Sequence, residues 1–482
     1  MKKEIEALVL RGLEEMGVEG AAVAVVKDGE VLLAEGYGYA DRENNVALTA
    51  EYAFPIGSSS KAFTATGVMM LAAEGKLDID KPVRDYMPRF GLDDPAAIDV
   101  TARDLLCHRT GLPRHDLFWI TWPDVERDDL IFNRVRHFKA NKTFRSKWEY
   151  NNHMYAAAGR LIEEVSGKSW EDFTRERIFA PLEMTSSFFW QDDRTDIKQP
   201  VLYKDQDGKR VPCETERVTA MGPAGSIRAP IADMANWLLF NLSRGKFNDN
   251  VVLDEASFAP LWTPNIYYEL LPFETPETMN VGYGLGWFID CYRGELRVDH
   301  GGNVSGSTTS VCMLPDKNIG VAILTNQNST FFTYALTSMI QDILLERKCE
   351  TDWIDFYKEK YEEMKKQQEG QFEALRTAAV PDKPMTHAGA EYTGEFSHPG
   401  YGEITVSYDE SAENKLSVNM HGNVFPLVHM HYDVFRIEIH EIPISVIFRT
   451  DAKGDISAID IHMEMSLQEM ISYQRVPKAV ES

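Results

Sequence analysis

The sequence predicts an α+β fold, an antiparallel sheet flanked by helices with a helical insertion, followed by an all-β C-terminal barrel. Three observations predict it. Strand patterns lie at both ends of the first 345 or so residues. Helical and loop patterns fill the stretch from about residue 100 to 240. Beyond about residue 388, short strands separated by turn signals replace both. One sheet assembled from both ends of a domain, with helices inserted between, accounts for the first two observations. A small antiparallel barrel accounts for the third. The expected domains are therefore residues 1–346, a charged helical linker over 347–385, and a small antiparallel barrel over 386–482.

Each element has a local reason. Ile5, Leu8, Val9 and Leu13 recur at helical spacing, and Glu4, Glu6 and Arg11 interrupt any apolar leader. The run Ala21–Val26, the Asp28-Gly29 pair and the run Val31–Ala34 read as a β-hairpin. From Ser58 to Glu74 the pattern is helical, with Gly75 where a C-cap belongs. Strands are expected over 284–289, 296–299, 308–313 and 319–324, then a helix over about 332–346. Residues 350–378 carry Lys358-Glu359-Lys360 and Glu362-Glu363, the composition of a solvated connecting helix. Barrel strands are expected over 392–396, 402–407, 415–419, 434–439, 444–449 and 456–463.

Composition narrows the function. The chain has 482 residues, 44% of them apolar, and a formal net charge of −25. That excess of carboxylates repels phosphate backbones, so neither nucleic acid nor an anionic membrane is an expected partner. No apolar run is long enough to span a bilayer. The five cysteines, Cys107, Cys213, Cys291, Cys312 and Cys349, form no C-x-x-C pair. An odd, sparse set of this kind fits thiols in a reducing, cytoplasmic setting. His429 and His431 lie two apart on a strand, with His440 the nearest further candidate. Three ligands do not converge in the sequence, so no metal and no cofactor is expected.

Three motifs carry chemistry. The first is Ser58-Ser59-Ser60-Lys61, after Gly57. A serine hydroxyl is a poor nucleophile until a base takes its proton. A lysine three positions on shares a helix face with Ser58, and the helix N-terminus supplies N–H groups where an oxyanion forms. Spacing alone is weak, because Ser243 and Lys246 share it in a polar, Gly-containing segment without a following apolar helix. The second motif is Tyr150-Asn151-Asn152. A tyrosine near an ammonium can exchange protons with a serine or a leaving group, and Asn152 can hold a substrate amide or the lysine. The third is His300-Gly301-Gly302-Asn303, where two glycines admit a substrate backbone to a strand and the Asn303 N–H can pair with that of Ser58. The run Phe118-Trp119-Ile120-Thr121-Trp122 is open to two readings, a pocket wall or ordinary core.

Taken in order, S-x-x-K, Tyr-x-Asn and His-x-Gly resemble the serine β-lactamase and penicillin-binding-protein superfamily. The nearest branch holds class C β-lactamases, D-amino-acid peptidases and esterases. Asp104-Leu105-Leu106-Cys107-His108-Arg109-Thr110-Gly111-Leu112-Pro113 is similar to its LLxHxSGL segment, Pro223–Ala229 to its glycine-containing stretch, and Tyr283-Gly284-Leu285-Gly286-Trp287 to its YGLGW strand. The resemblance covers about residues 5–345. It implies a β-lactamase/transpeptidase-like sheet, Ser58 as nucleophile, Lys61 and Tyr150 as general base and acid, and substrate contacts from Asn152, His300, Gly301, Gly302 and Asn303. His300 stands where many members carry lysine, which removes a fixed charge for a substrate carboxylate. The resemblance thus implies a peptidase or amidase on short or D-amino-acid-containing peptides, with a carboxylesterase, a weak β-lactamase or a non-catalytic binding homologue as alternatives. The last hundred residues resemble a barrel appended to some of these peptidases, which caps the active site or builds a homo-oligomer interface.

Overall fold

A computed structural model describes residues 1–206, 209–216, 219–269, 275, 277–328, 331–347 and 351–477. Cys349 lies outside them. Among the described residues no helix is long and apolar enough to cross a membrane.

The chain forms two compact units. One comprises Met1–Gly111 and Lys142–Glu362, the other Leu112–Asn141 and Glu363–Ser482. The expected boundaries divide the chain in sequence order. Contact groups it differently: residues 112–141 belong with the barrel.

The first unit begins with helix α1 (Lys2–Glu15), strands β1 (Gly20–Lys27) and β2 (Glu30–Asp41) and the short β3 (Val46–Ala47). Asp28 and Gly29 both have positive φ, 53° and 83°, as the expected two-residue hairpin turn requires. Helix α2 spans Ser60–Ala73, preceded by a 3-10 turn at Gly57–Ser59. Helices α3 (Asn152–Ser166) and α4 (Ile231–Leu242) follow. Next come β4 (Thr278–Tyr283), β5 (Phe288–Tyr292), β6 (Glu295–Val304), β7 (Ser307–Leu314) and β8 (Ile319–Thr325). Helix α5 (Phe332–Leu344) and the first part of the long α6 (Trp353–Arg376), up to Glu362, complete the series. The sheet order is β4-β5-β6-β7-β8-β1-β2-β3. Strands from both ends of the unit meet where β1 pairs β8 antiparallel, Val23 opposite Ile323.

Both faces of the sheet centre are covered. Ile5, Val9 and Leu13 of α1 and Phe332, Leu336 and Ile340 of α5 pack with Val23, Val25, Val321 and Ile323. On β8, Gly320 meets Leu238 and Leu242 of α4. Helix α2 is buried all round from Ser60 to Leu71, as expected of a helix that is apolar on nearly every side.

Three expectations are corrected. The strand placed at 284–289 begins at Phe288, because Gly284–Trp287 form a turn; Gly286 there takes φ 79°, which favours glycine, tight against Lys61, Ala62 and Ala65. The connecting helix is not solvated at its start: Trp353, Ile354 and Tyr357 are buried, and the Trp353 indole donates to Asp342 at 3.1 Å. The stretch from 100 to 240 also holds strands, including Ile227–Pro230 between Ala53–Pro55 and Phe188–Phe189.

In the second unit the barrel strands are β9 (Gly394–His398), β10 (Gly402–Tyr408), β11 (Leu416–Met420), β12 (Asn423–Pro426), β13 (Val428–His431), β14 (Val434–Ile439), β15 (Ile442–Thr450), β16 (Ile456–Ile461) and β17 (Ile471–Arg475). Their order is β12-β11-β10-β9-β17-β16-β15-β14-β13, and β12 returns beside β14, so the sheet nearly closes. Ile404 and Val406 face inward between exposed neighbours, the alternation a half-buried strand demands. Strands β12 and β17 were not expected, and β12 is only four residues long; β13 is the strand on which His429 and His431 were placed. A register shift separates His429 from His431 in β13.

The aromatic run of the insertion packs within this unit. Trp122 stacks on His421 with centroids 3.7 Å apart, and Phe118 meets Phe138 and Tyr401. His115 is fully buried, with Nδ1 2.6 Å from the Tyr401 hydroxyl and Nε2 2.9 Å from the Lys139 carbonyl. Of the two readings of Phe118–Trp122, core packing describes Phe118 and Trp122.

Candidate active site

Ser58 lies in the 3-10 turn that leads into α2, and Lys61 is in the helix's first turn. Lys61 Nζ is 3.0 Å from Ser58 Oγ. The lysine is fully buried, so its ammonium needs acceptors. It donates to Asn152 Oδ1 at 2.7 Å and to the Ala224 carbonyl at 2.9 Å. It also sits 4.8 Å from the centroid of the Tyr150 ring and 5.4 Å from that of Tyr155. The first two motifs thus converge. Ser58 itself remains partly exposed. Ser59 and Ser60, without the spacing, point elsewhere: Ser59 Oγ donates to the His300 carbonyl at 3.2 Å, and Ser60 Oγ accepts from Ile227 N–H at 3.3 Å.

Asn152 is placed by the start of α3. Asn151 is its N-cap, with Oδ1 accepting from Met154 N–H at 3.0 Å. That cap leaves Asn152 in the first helical turn with its side chain on Lys61. The Ala224 carbonyl comes from a segment locked against both helices: Thr64 donates to the Pro223 carbonyl at 2.7 Å, and Gly159 lies too close to the Pro223 ring to carry a side chain.

The third motif is drawn against the Ser58 turn. A Cβ on Gly302 would lie 1.9 Å from the Ile56 carbonyl, so only glycine fits. Gly57 (φ 51°) abuts the Asn303 amide, 3.0 Å from where its own Cβ would be. Thr309 Oγ1 donates to the Ile56 carbonyl at 3.0 Å, and Ser307 Oγ to that of Pro55 at 2.8 Å. These two β7 hydroxyls tie the sheet to the turn. No motif announced them. Gly301 is different: a Cβ there would meet only the Thr309 carbonyl at 3.2 Å and the Tyr334 hydroxyl at 3.9 Å.

His300 is 2% exposed. Its Nδ1 is 2.6 Å from the Gly301 carbonyl, which assigns the ring proton to Nδ1. Nε2 therefore accepts from the Tyr283 hydroxyl at 3.1 Å. Burial, with a smaller contribution from the Lys61 charge, pushes the imidazole down to about 3. It is neutral at physiological pH, and both nitrogens are engaged by the protein. A Lys-x-Gly strand would present a fixed charge here; this strand presents none.

A buried carboxylate organises the approach to Tyr150. Asp104 accepts from Arg109 Nε at 2.5 Å, from Arg145 at 2.7 and 2.9 Å, and from the Thr101 amide and hydroxyl at 2.9 and 2.8 Å. Burial alone would raise its pKa; the bonds from Arg145 and Arg109 outweigh that and hold it below the usual carboxylate range.

The β-lactamase family pattern matches residues 5–341. The chain belongs to the β-lactamase family. A second pattern, a domain of unknown function (DUF3471), matches residues 378–475, the barrel of this family member. An Aspergillus campestris protein, unguisins hydrolase ungD′, is 27% identical over 97% of this chain and 90% of its own length. Among solved structures, the octameric penicillin-binding protein homologue from Pyrococcus abyssi is 23% identical with a TM-score of 0.64, covering 98% of this chain and 99% of its own. The D-amino acid amidase from Ochrobactrum anthropi SV3 is 23% identical with a TM-score of 0.59, over 72% of this chain and 98% of its own. These two likenesses establish the β-lactamase/penicillin-binding-protein fold.

Proposed function

We propose that this β-lactamase family member is a serine hydrolase that forms an acyl-enzyme on Ser58 and acts as a peptidase or amidase on short or D-amino-acid-containing peptides. The observation that carries the reading is Lys61: a buried amine 3.0 Å from Ser58 Oγ, held there by Asn152 and the Ala224 carbonyl. The names of two similar proteins support the reading: one is a hydrolase, which supports hydrolysis, and the other a D-amino acid amidase, which supports an amide substrate.

Ser58 Oγ attacks the substrate carbonyl carbon. Lys61 and Tyr150 divide the proton traffic, one taking the Ser58 proton and the other delivering a proton to the leaving nitrogen. The oxyanion is met by the N–H groups of Ser58 and Asn303. As the C–N bond breaks, the amine departs and the acyl group remains on Oγ. Water then attacks the ester carbonyl, the C–Oγ bond breaks, and the acid leaves with Ser58 restored. His300 is neutral and lends no charge to a substrate carboxylate. The favoured substrate therefore has no carboxylate at that position, which disfavours β-lactams. We place the enzyme in the cytoplasm, where the free thiols of Cys107, Cys213, Cys291 and Cys312 stay reduced.

The test is turnover of D- and L-amino-acid amides, p-nitrophenyl esters and a chromogenic cephalosporin by wild type and Ser58→Ala. Amide turnover that disappears in Ser58→Ala is the expected result. Amide hydrolysis that survives in Ser58→Ala overturns the reading. Short-chain esters cleaved faster than every amide would make the protein a carboxylesterase instead.

A further inference from the structure

His108 grips the residues on both sides of Tyr150. Its carbonyl accepts the Glu149 N–H at 2.9 Å, and its Nδ1 accepts the Asn151 N–H at 3.1 Å. One residue thereby holds the N–H groups of both residues that flank the tyrosine. Its ring also lies 4.4 Å from the Tyr150 ring, tilted by 35°. His108 is fully buried.

The backbone is unusual where this happens. His108 has φ 60°, the left-handed region that most non-glycine residues avoid. The conformation turns the chain so that His108's own carbonyl and its ring address one segment. Such strain persists only where the surroundings over-determine it. Here they do. Asp104 ties Arg109 and Arg145 together, the Arg145 N–H donates to the Arg109 carbonyl at 2.8 Å, and the Lys142 N–H reaches the Gly111 carbonyl at 3.3 Å. The segments 104–111 and 142–151 are laced along their length. Beyond Tyr150 the same peptide continues into the Asn151 cap and then Asn152, which holds Lys61 at 2.7 Å.

We propose that His108 is the positioning residue for Tyr150: it fixes the phenol beside Lys61 by accepting the N–H groups on either side of it. The proposal rests on the reading of Tyr150 as a proton-transfer group. Because Nδ1 must accept, the ring acts as neutral imidazole with its proton on Nε2.

The test compares His108→Phe, which keeps a ring and the backbone carbonyl but loses the ring acceptor, with His108→Asn, which keeps a side-chain acceptor and tolerates the left-handed conformation. Amide turnover is measured across pH, with Tyr150→Phe and Ser58→Ala alongside. His108→Phe is expected to lose about 100-fold in kcat with little change in KM, the scale of a misplaced catalytic group. Its kcat profile should follow that of Tyr150→Phe. His108→Asn should regain about tenfold or more of that loss. Wild-type kcat and pH profile in a folded His108→Phe would overturn the proposal, as would equal losses in both variants. If His108→Phe does not fold, His108→Ala with and without added imidazole decides: restored kcat supports positioning, and no restoration overturns it. Activity that survives in Ser58→Ala would instead defeat the functional reading itself, so the two failures are distinguishable.

Discussion

Two stretches of the chain place a serine three residues before a lysine, and the fold treats them in opposite ways. Ser58 enters a helix, so Lys61 returns to its side one turn later at 3.0 Å. Ser243 leaves one. It follows the end of α4, Arg244 and Gly245 take positive φ values of 50° and 98°, and Lys246 sits in a two-residue strand. Both Ser243 and Lys246 are exposed. Spacing by three means adjacency only inside a helix. The environments differ just as much. Lys61 is buried among named acceptors, whereas Lys246 is solvated, and only the first can be tuned as a base.

Exchange at the lysines should break this comparison most visibly. Lys61→Met is expected to reduce amide kcat/KM by roughly 10³-fold or more, because in the proposed mechanism Ser58 and Lys61 act as a unit. For the same reason the double variant Ser58→Ala/Lys61→Met should be little worse than Ser58→Ala alone. Lys246→Met should leave turnover unchanged. Additive losses in the double variant would show that Lys61 and Ser58 work independently.

Much of the site was legible because it is local. Asp28-Gly29 announces its turn through φ, and Ser58 and Lys61 meet through helical period. The sheet joining both ends of the first unit followed from where the apolar runs fall. What was illegible is what backbone does at a distance. Lys61 is held partly by the Ala224 carbonyl, an acceptor every residue possesses, so no side chain marks it. The hydroxyls of Thr309 and Ser307 reach Ile56 and Pro55 across some 250 residues, and a serine or threonine in a strand reads as ordinary polarity. His108 sits within a segment noted only for its resemblance, and its left-handed turn has no signature in the residue type. The insertion shows the same limit. Phe118 and Trp122 read equally as wall or core until Tyr401 and His421, nearly 300 residues on, are placed beside them.

A smaller effect sharpens the contrast between buried and solvated groups. His300 is pushed down to about 3 in the folded protein by burial and the Lys61 charge, against about 6.5 when unfolded. The unfolded chain therefore binds the extra proton first. Stability is fully present above about pH 6.5 and declines as pH falls toward about 3. Replacing His300 with Gln should flatten that decline by about 2 kcal/mol between about pH 6.5 and 4.5, read from urea midpoints at the two pH values. The same pH dependence in wild type and variant would mean that His300 is protonated in the folded state as readily as in the unfolded one.

The smallest expected effect belongs to the other serine. Ser243→Ala removes an exposed hydroxyl just after a helix end, where the chain turns through Gly245, packed against the Leu253 carbonyl. The turn is set by backbone, so stability should change by no more than about 0.5 kcal/mol, and amide turnover not at all. The informative variant at this site is Gly245→Ala. A Cβ there would lie 2.0 Å from the Leu253 carbonyl at a φ that disfavours any side chain, so stability should fall by roughly 1–3 kcal/mol. Thermal unfolding measures both. A larger loss from Ser243→Ala than from Gly245→Ala would mean that the serine, not the glycine, shapes this turn, and the contrast with Ser58 would then lie in chemistry rather than in backbone direction.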